Sequence, residues 1–194
     1  MTTNDLFNEI IAITQRNVNL LHSRIQPLSD FQKNWKKDND SWSINEIIAH
    51  LNQYANYYHR VFGRKIARTR YRTPRETFIS SPLGRSAWRS MKLGNARNIK
   101  RKMKSPRAYN PSLHPEMVKS NTIEIFEKSQ QELLSIFELA RSVNIRKAKI
   151  PISISKIIRF RLGDAFLYVV YHNERHLQQA INILDHPRFP KAEG

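Results

Sequence analysis

Residues 168–180, "YVVYHNERHLQQA", place two histidines four positions apart inside an apolar run. At about 100° per residue, His176 falls roughly 40° from His172 on a helix, Gln179 roughly 20° to the other side, and Val169 roughly 60° away. Both histidines therefore sit at the middle of the apolar stripe. The stripe predicts one helix from about Arg161 to Leu184. A helix with such a face has to bury it against other elements, so the partners must be sought upstream.

Three more segments have helical periodicity. The first puts Leu6, Ile10, Ile13, Leu21 and Ile25 on one face and stops before Pro27. The second starts at Ser43, which stands at capping-box spacing from Glu46, and runs to about Phe62. Its stripe is Ile47, Ile48, Leu51, Tyr54, Ala55 and Tyr58. The third begins near Pro115, a residue suited to a first turn, and passes through Ile123, Phe126, Leu133, Phe137 and Ala140. "KIPISISKII" (149–158) has some two-residue alternation but is short, and reads as an extended connection. The expected architecture is all-α: a single four-helix bundle domain over residues 1–194, with 63–114 a long basic connector between the second and third helices.

Composition narrows the class. Hydrophobic residues make up 40% of the 194, enough for one packed core. The longest apolar run, Ala165–Tyr171, has seven residues, far short of the roughly 20 that span a bilayer, so no membrane association is expected. "MTTNDLFNEI" has neither the basic start nor the apolar stretch of a signal peptide, and the expected location is the cytoplasm. The absence of cysteine excludes disulfides, thiolate metal sites and a cysteine nucleophile.

The charge of +17 is uneven. Between Gly63 and Arg107 stand 15 lysines and arginines against the single acid Glu76; elsewhere 18 bases meet 15 acids. Five of the nine prolines fall in 63–115, so this stretch reads as a connection with short helical pieces around "SPLGRSAWRSMKL" and "NARNIKRKM". Its charge, interleaved with Tyr71 and Trp88, suits three readings: a solvated loop, a polyanion or nucleic-acid contact through 63–107, or a guide for an anionic small substrate.

Side chains at i and i+4 on a helix lie about 6 Å apart at Cβ, so His172 and His176 can reach one metal ion at about 2.1 Å. His50, in "WSINEIIAHLNQY", flanks the stripe of the second helix and can face the same axis. Ordinary hydrogen-bonded core histidines are the competing reading. Two adjacent buried imidazoles, however, need polar partners that aliphatic neighbours lack. The spacing alone leaves both readings open.

"SWSINEIIAHL" (41–51), "YHNERHLQQA" (171–180) and "KSPRAYNPS" (104–112) together resemble the DinB-like superfamily over nearly the whole chain. The resemblance implies a four-helix bundle in which His50, His172 and His176 hold a divalent ion, nickel or zinc. It also implies a metal-dependent hydrolase or a transferase that uses a low-molecular-weight thiol such as bacillithiol, acting on a small-molecule substrate. A homodimer is compatible with this pattern. The chain departs from it at Arg161, where relatives often have Thr or Ser, and in the length and charge of the connector.

Three neutral imidazoles leave a divalent ion charged and with an open position, the pattern of catalytic rather than structural sites. Gln179 stands as a candidate to orient water or substrate, or as a hydrogen bond within the bundle. Glu46 is better explained by its capping box, and Asp164 by its place in a helix's first turn. Tyr54 and Tyr168 can line a pocket or fill core. His22, His59, His114 and His186 fall on outer faces, edges or connections.

Overall fold

The computed structural model describes residues 1–93 and 104–191. Four long helices carry the fold: α1 (Thr3–Leu20), α3 (Ile44–Arg68), α5 (Thr122–Ala140) and α6 (Leu162–Leu184). Two short ones, α2 (Asp30–Asn34) and α4 (Pro82–Met91), lie in the connections. None of these helices is long and apolar enough to cross a membrane. α1 and α3 each pack against both α5 and α6, so α1 and α3 stand diagonally across the bundle. Helices next to each other in sequence are thus not always neighbours in space, and α6 is contacted by α1, α3 and α4.

Local chemistry sets the helix starts. Thr2 with Asp5, Ser29 with Gln32, and Ser43 with Glu46 each form a reciprocal capping box, which satisfies two otherwise orphaned N–H groups per helix. α1 ends in a π-helical turn, Leu21–Ile25, just before Pro27. α3 runs past the expected Phe62 as far as Arg68, because Gly63 to Arg68 contain no breaker stronger than that one glycine. The expected third helix starts later than Pro115. Pro115–Met117 forms only a short 3-10 turn, and α5 begins at Thr122, whose hydroxyl closes a turn with Lys119.

The segment read as an extended connection is a β-hairpin. β1 (Lys149–Ile152) pairs antiparallel with β2 (Ser155–Arg161), matching Lys149 with Arg161 and Ile150 with Phe160. Ile150, Ile152 and Phe160 are buried against the helices. The two-residue turn, Ser153-Ile154, lacks the Asn-Gly or Asp-Gly chemistry that announces hairpins in sequence. Of the two helical pieces expected in the connector, "SPLGRSAWRSMKL" forms α4; "NARNIKRKM" lies outside the described residues.

α6 starts at Arg161 without a side-chain cap. Its first N–H groups are taken instead by the loop after α5: Leu162 donates to the Ala148 carbonyl at 2.8 Å and Gly163 to that of Ile145 at 3.2 Å. Backbone caps do the work of the Thr or Ser missing at this position. One residue on, the fully buried Asp164 accepts from the Ser81 amide at 3.0 Å and hydroxyl at 2.8 Å, while the Ser81 hydroxyl accepts from the Gly84 amide. Asp164 thereby fixes the start of α4 on α6. The approach is so close that a Cβ on Gly84 would stand 2.3 Å from the Asp164 carboxyl.

Gly84→Ala should therefore cost about 1–3 kcal/mol, the usual penalty for forcing atoms into a packed contact. The check is a lower urea midpoint at unchanged slope. An unchanged midpoint would mean that α4 does not rest on Asp164.

Candidate metal centre

α3 and α6 pack side by side, and histidines interrupt both of their apolar stripes. On one side of them lies an apolar cluster including Tyr54, Tyr58, Val169 and Tyr171; on the other lies one including Ile47, Leu51, Leu177 and Ala180. His50, His172 and His176 fill the seam between the two. His50 and His172 are 2% and 4% exposed, and His176 is half-buried.

The structure brings the three rings together. One nitrogen from each lies within 4.8 Å of the others, and the ring centroids are 4.6 to 5.2 Å apart. Nε2 of His50 stands 3.4 Å from Nε2 of His172. The outward-facing nitrogens decide the tautomers. His50 Nδ1 lies 2.6 Å from the Tyr109 carbonyl, which can only accept, so Nδ1 carries the proton and Nε2 keeps its lone pair. His176 Nδ1 lies 3.0 Å from Oε1 of Gln179, and donating to it leaves Nε2 with its lone pair.

Burial keeps these rings neutral. Desolvation pushes His50 down to about 4, against a smaller upward pull from the Tyr109 carbonyl. It pushes His176 down to about 3, helped by His50. His172 is held well below the usual value by desolvation and then by its two histidine neighbours. All three have the lone pairs that metal ligation requires at neutral pH.

His172 tests the fit. Its Nδ1 is buried and has no hydrogen-bond partner. If Nε2 carries the proton and donates to His50, Nδ1 is an orphaned acceptor. If Nδ1 carries it, a buried donor is unmet and two Nε2 lone pairs face each other. Either arrangement leaves a buried polar atom unsatisfied, at a cost of about 1–3 kcal/mol. A divalent cation held by the inward nitrogens removes the facing lone pairs and fixes the proton of His172 on Nδ1, which stays without a partner; the three inward lone pairs form a donor set that suits such an ion.

Aromatic rings wall the cluster. Tyr54 stacks on His172 at 4.3 Å between centroids, Trp42 lies 5.0 Å from His50, and Tyr168 stacks on His172 at 5.9 Å. Burial raises the Tyr54 hydroxyl to about 12 and pushes Tyr168 up as well, so both stay neutral donors.

Sequence reading missed Tyr109. It ends a 3-10 turn, Arg107–Tyr109, in the returning arm of the connector, and also packs its ring 4.7 Å from Tyr54. A main-chain carbonyl leaves no residue-type signature, so no motif could have announced it. Gln179, expected to orient water or substrate or to bond within the bundle, is placed on the His176 ring. Glu46 is held by the Ser43 amide and by Lys36 at 2.7 Å. Asp164 contacts Ser81 rather than a histidine ring. Three of the remaining histidines pair with acids, His22 with Glu127, His59 with Glu132 and His114 with Glu116, and His186 packs on Trp35.

The fold resembles a solved structure described as "YfiT from Bacillus subtilis is a probable metal-dependent hydrolase with an unusual four-helix bundle topology". The match has a TM-score of 0.53 and 13% identity, covering 91% of this chain and 84% of that one. At that identity the likeness is one of fold. A search of curated proteins returned no match. The family model of the DinB superfamily matches residues 13–180, a span that takes in all three histidines. On that match, this chain belongs to the DinB superfamily.

Proposed function

We propose that His50, His172 and His176 bind one divalent metal ion, nickel or zinc, and that the site serves a hydrolase or a small-thiol S-transferase. The observation that carries the reading is the convergence of three neutral ring nitrogens, from two buried histidines and one half-buried, two of them hydrogen-bonded from behind. Such fixing is the usual outer support of metal-ligating histidine.

A divalent ion with only three neutral protein ligands supplies Lewis acidity at an open position, toward a water or a thiol. The chain's own groups do the rest. Tyr109 and Gln179 hold two ligand rings in register. Tyr54 and Tyr168 offer neutral hydroxyls and apolar faces beside the cluster. Trp42 packs on both His50 and His176. Without cysteine the protein cannot provide its own thiolate, so a thiol has to arrive as a cosubstrate.

Elemental analysis of purified protein should find close to one divalent ion per chain, and His172→Ala should lose most of it. Stoichiometric metal in a chain lacking all three imidazoles would end the proposal. Gln179→Ala should weaken metal binding about 10-fold or more, the usual range for removing the group behind a ligand. Unchanged affinity would return Gln179 to a purely structural role.

The metal-free protein should also show a defined pH response. Folded values of about 4 for His50 and about 3 for His176 lie below the ordinary value of about 6.5 recovered on unfolding. The unfolded chain then binds more protons below about pH 6.5, so stability is full above that pH and falls toward pH 4. Denaturation midpoints between pH 7.5 and 4.5 should record the loss, and replacing His50 and His176 with Phe should flatten it.

Activity is the remaining test. Metal-loaded protein given bacillithiol or a similar small thiol and a model electrophile should turn over, and His176→Ala should abolish it. Ester or amide hydrolysis without thiol dependence would instead assign the hydrolase arm.

A further inference from the structure

The apparent charge balance outside the connector hides a second basic stretch. Residues 141–161 contain seven lysines and arginines and no acid, and residues 64–75 contain six and no acid. The fold brings the two together. The Asn144 amide donates to the Tyr71 carbonyl at 2.9 Å, tying the loop after α5 to the chain leaving α3. Between them opens a cleft of about 750 Å³ lined by Arg75, Arg146, Lys147, Lys149 and Arg161, with Glu76 its one acid.

The framework of the cleft is rigid. Val143, Ile145 and Ala148 are 1%, 2% and 0% exposed. Oδ1 of Asn144 accepts from the amides of Arg146 at 3.2 Å and Lys147 at 3.0 Å, which fixes the turn with both basic side chains exposed. Lys147 lies 5.8 Å from the centre of the Tyr71 ring. Arg75, Arg146, Lys147 and Lys149 make no ion pair among the described residues. Lys149 and Arg161 are direct cross-strand partners, and like charges placed opposite in a hairpin repel. Five cations gathered around one acid in a concave site focus a positive potential into it.

We propose that this cleft binds a small ligand carrying two or more phosphate groups. One carboxylate cannot neutralise this set, whereas a polyphosphate can, and the arginine forks match phosphate oxygens. The volume falls within the range of small-molecule sites, about 300–1,000 Å³. The bases converge on one concavity instead of running along an extended face, which favours a compact anion over a nucleic-acid backbone. The start of α6 does not supply the donors, because Leu162 and Gly163 spend their N–H groups on Ala148 and Ile145; the side chains do. Among the described residues of the connector expected to contact polyanions, the stretch from Tyr71 to Thr77 lines this cleft. The site is separate from the histidines, since His172 lies about 16 Å along α6 from Arg161 at 1.5 Å per residue.

The test is calorimetric titration with inorganic triphosphate, and separately with a short DNA duplex, near physiological salt. Triphosphate should bind at one saturable site per chain. Arg146→Ala/Lys147→Ala should weaken it about tenfold or more through lost charge-assisted hydrogen bonds, and Lys149→Gln should weaken it independently. All these side chains are exposed, so the ligand-free melting temperature should hold. Lys119→Ala/Lys128→Ala, the same charge loss elsewhere on the surface, should leave binding unchanged, as should His172→Ala. The proposal is overturned if triphosphate does not bind, if the Lys119/Lys128 variant weakens it equally, if only the duplex binds, or if His172→Ala abolishes binding and so moves the phosphate to the histidines.

Discussion

A neutral imidazole buried among apolar side chains has one donor and one acceptor to satisfy, and this protein sets three against one another, two buried and one half-buried. Much of the surrounding structure answers that demand. The connector has to return across α3 so that the Tyr109 carbonyl reaches His50 at 2.6 Å. Gln179 has to stay three residues from His176 on the same helix, at 3.0 Å from its ring. Aromatic rings at Trp42, Tyr54 and Tyr168 wall the cluster, packing their apolar faces on the imidazoles. Nδ1 of His172, a ring only 4% exposed, is left without a partner.

The geometry at the histidines depends on where α6 begins. A helix without its own cap can slide or fray at its first turn. Here that turn is clamped by the carbonyls of Ile145 and Ala148 on one side and by Ser81 through Asp164 on the other. Gly84 and Gly163 allow these approaches, since a Cβ on Gly163 would stand 2.5 Å from the Phe78 ring. The clamp fixes the phase of α6, and with it the direction in which His172 and His176 point.

Features that repeat with helical period were legible in the sequence. The stripes of the first, second and fourth helices gave their faces, and the capping box, Pro27 and the fourth stripe gave most of their ends, though α3 runs on to Arg68. The same stripes placed His50, His172 and His176 toward one axis. What sequence could not convey was set by contacts distant in the chain or made through the backbone. The hairpin at 149–161 is held by burial of Ile150, Ile152 and Phe160 under the helices, not by turn chemistry. The diagonal arrangement of α1 and α3 follows from which faces meet, which a single helix's pattern does not encode. Tyr109 acts through a carbonyl that every residue has. The basic stretch 141–161 was lost in an average because acids elsewhere cancelled it in the total.

Charge relates the histidine cluster and the basic cleft without any contact between them. The groups that hold His50 and His176 are a carbonyl and an amide, both neutral, and Glu46 and Asp164 are engaged with Lys36, Ser43 and Ser81 instead. An ion ligated by these three histidines would therefore keep its full double charge, with no carboxylate behind a ligand to offset it. The protein around it already carries +17. Long-range potential of that sign raises the local concentration of anions and speeds their encounter, an effect that weakens as salt rises. A thiol ionises more readily beside an uncompensated cation, and a negatively charged substrate is drawn to the same surface. With the proposed ion in place, the neutral support of the histidines and the basic surface would favour anionic ligands alike.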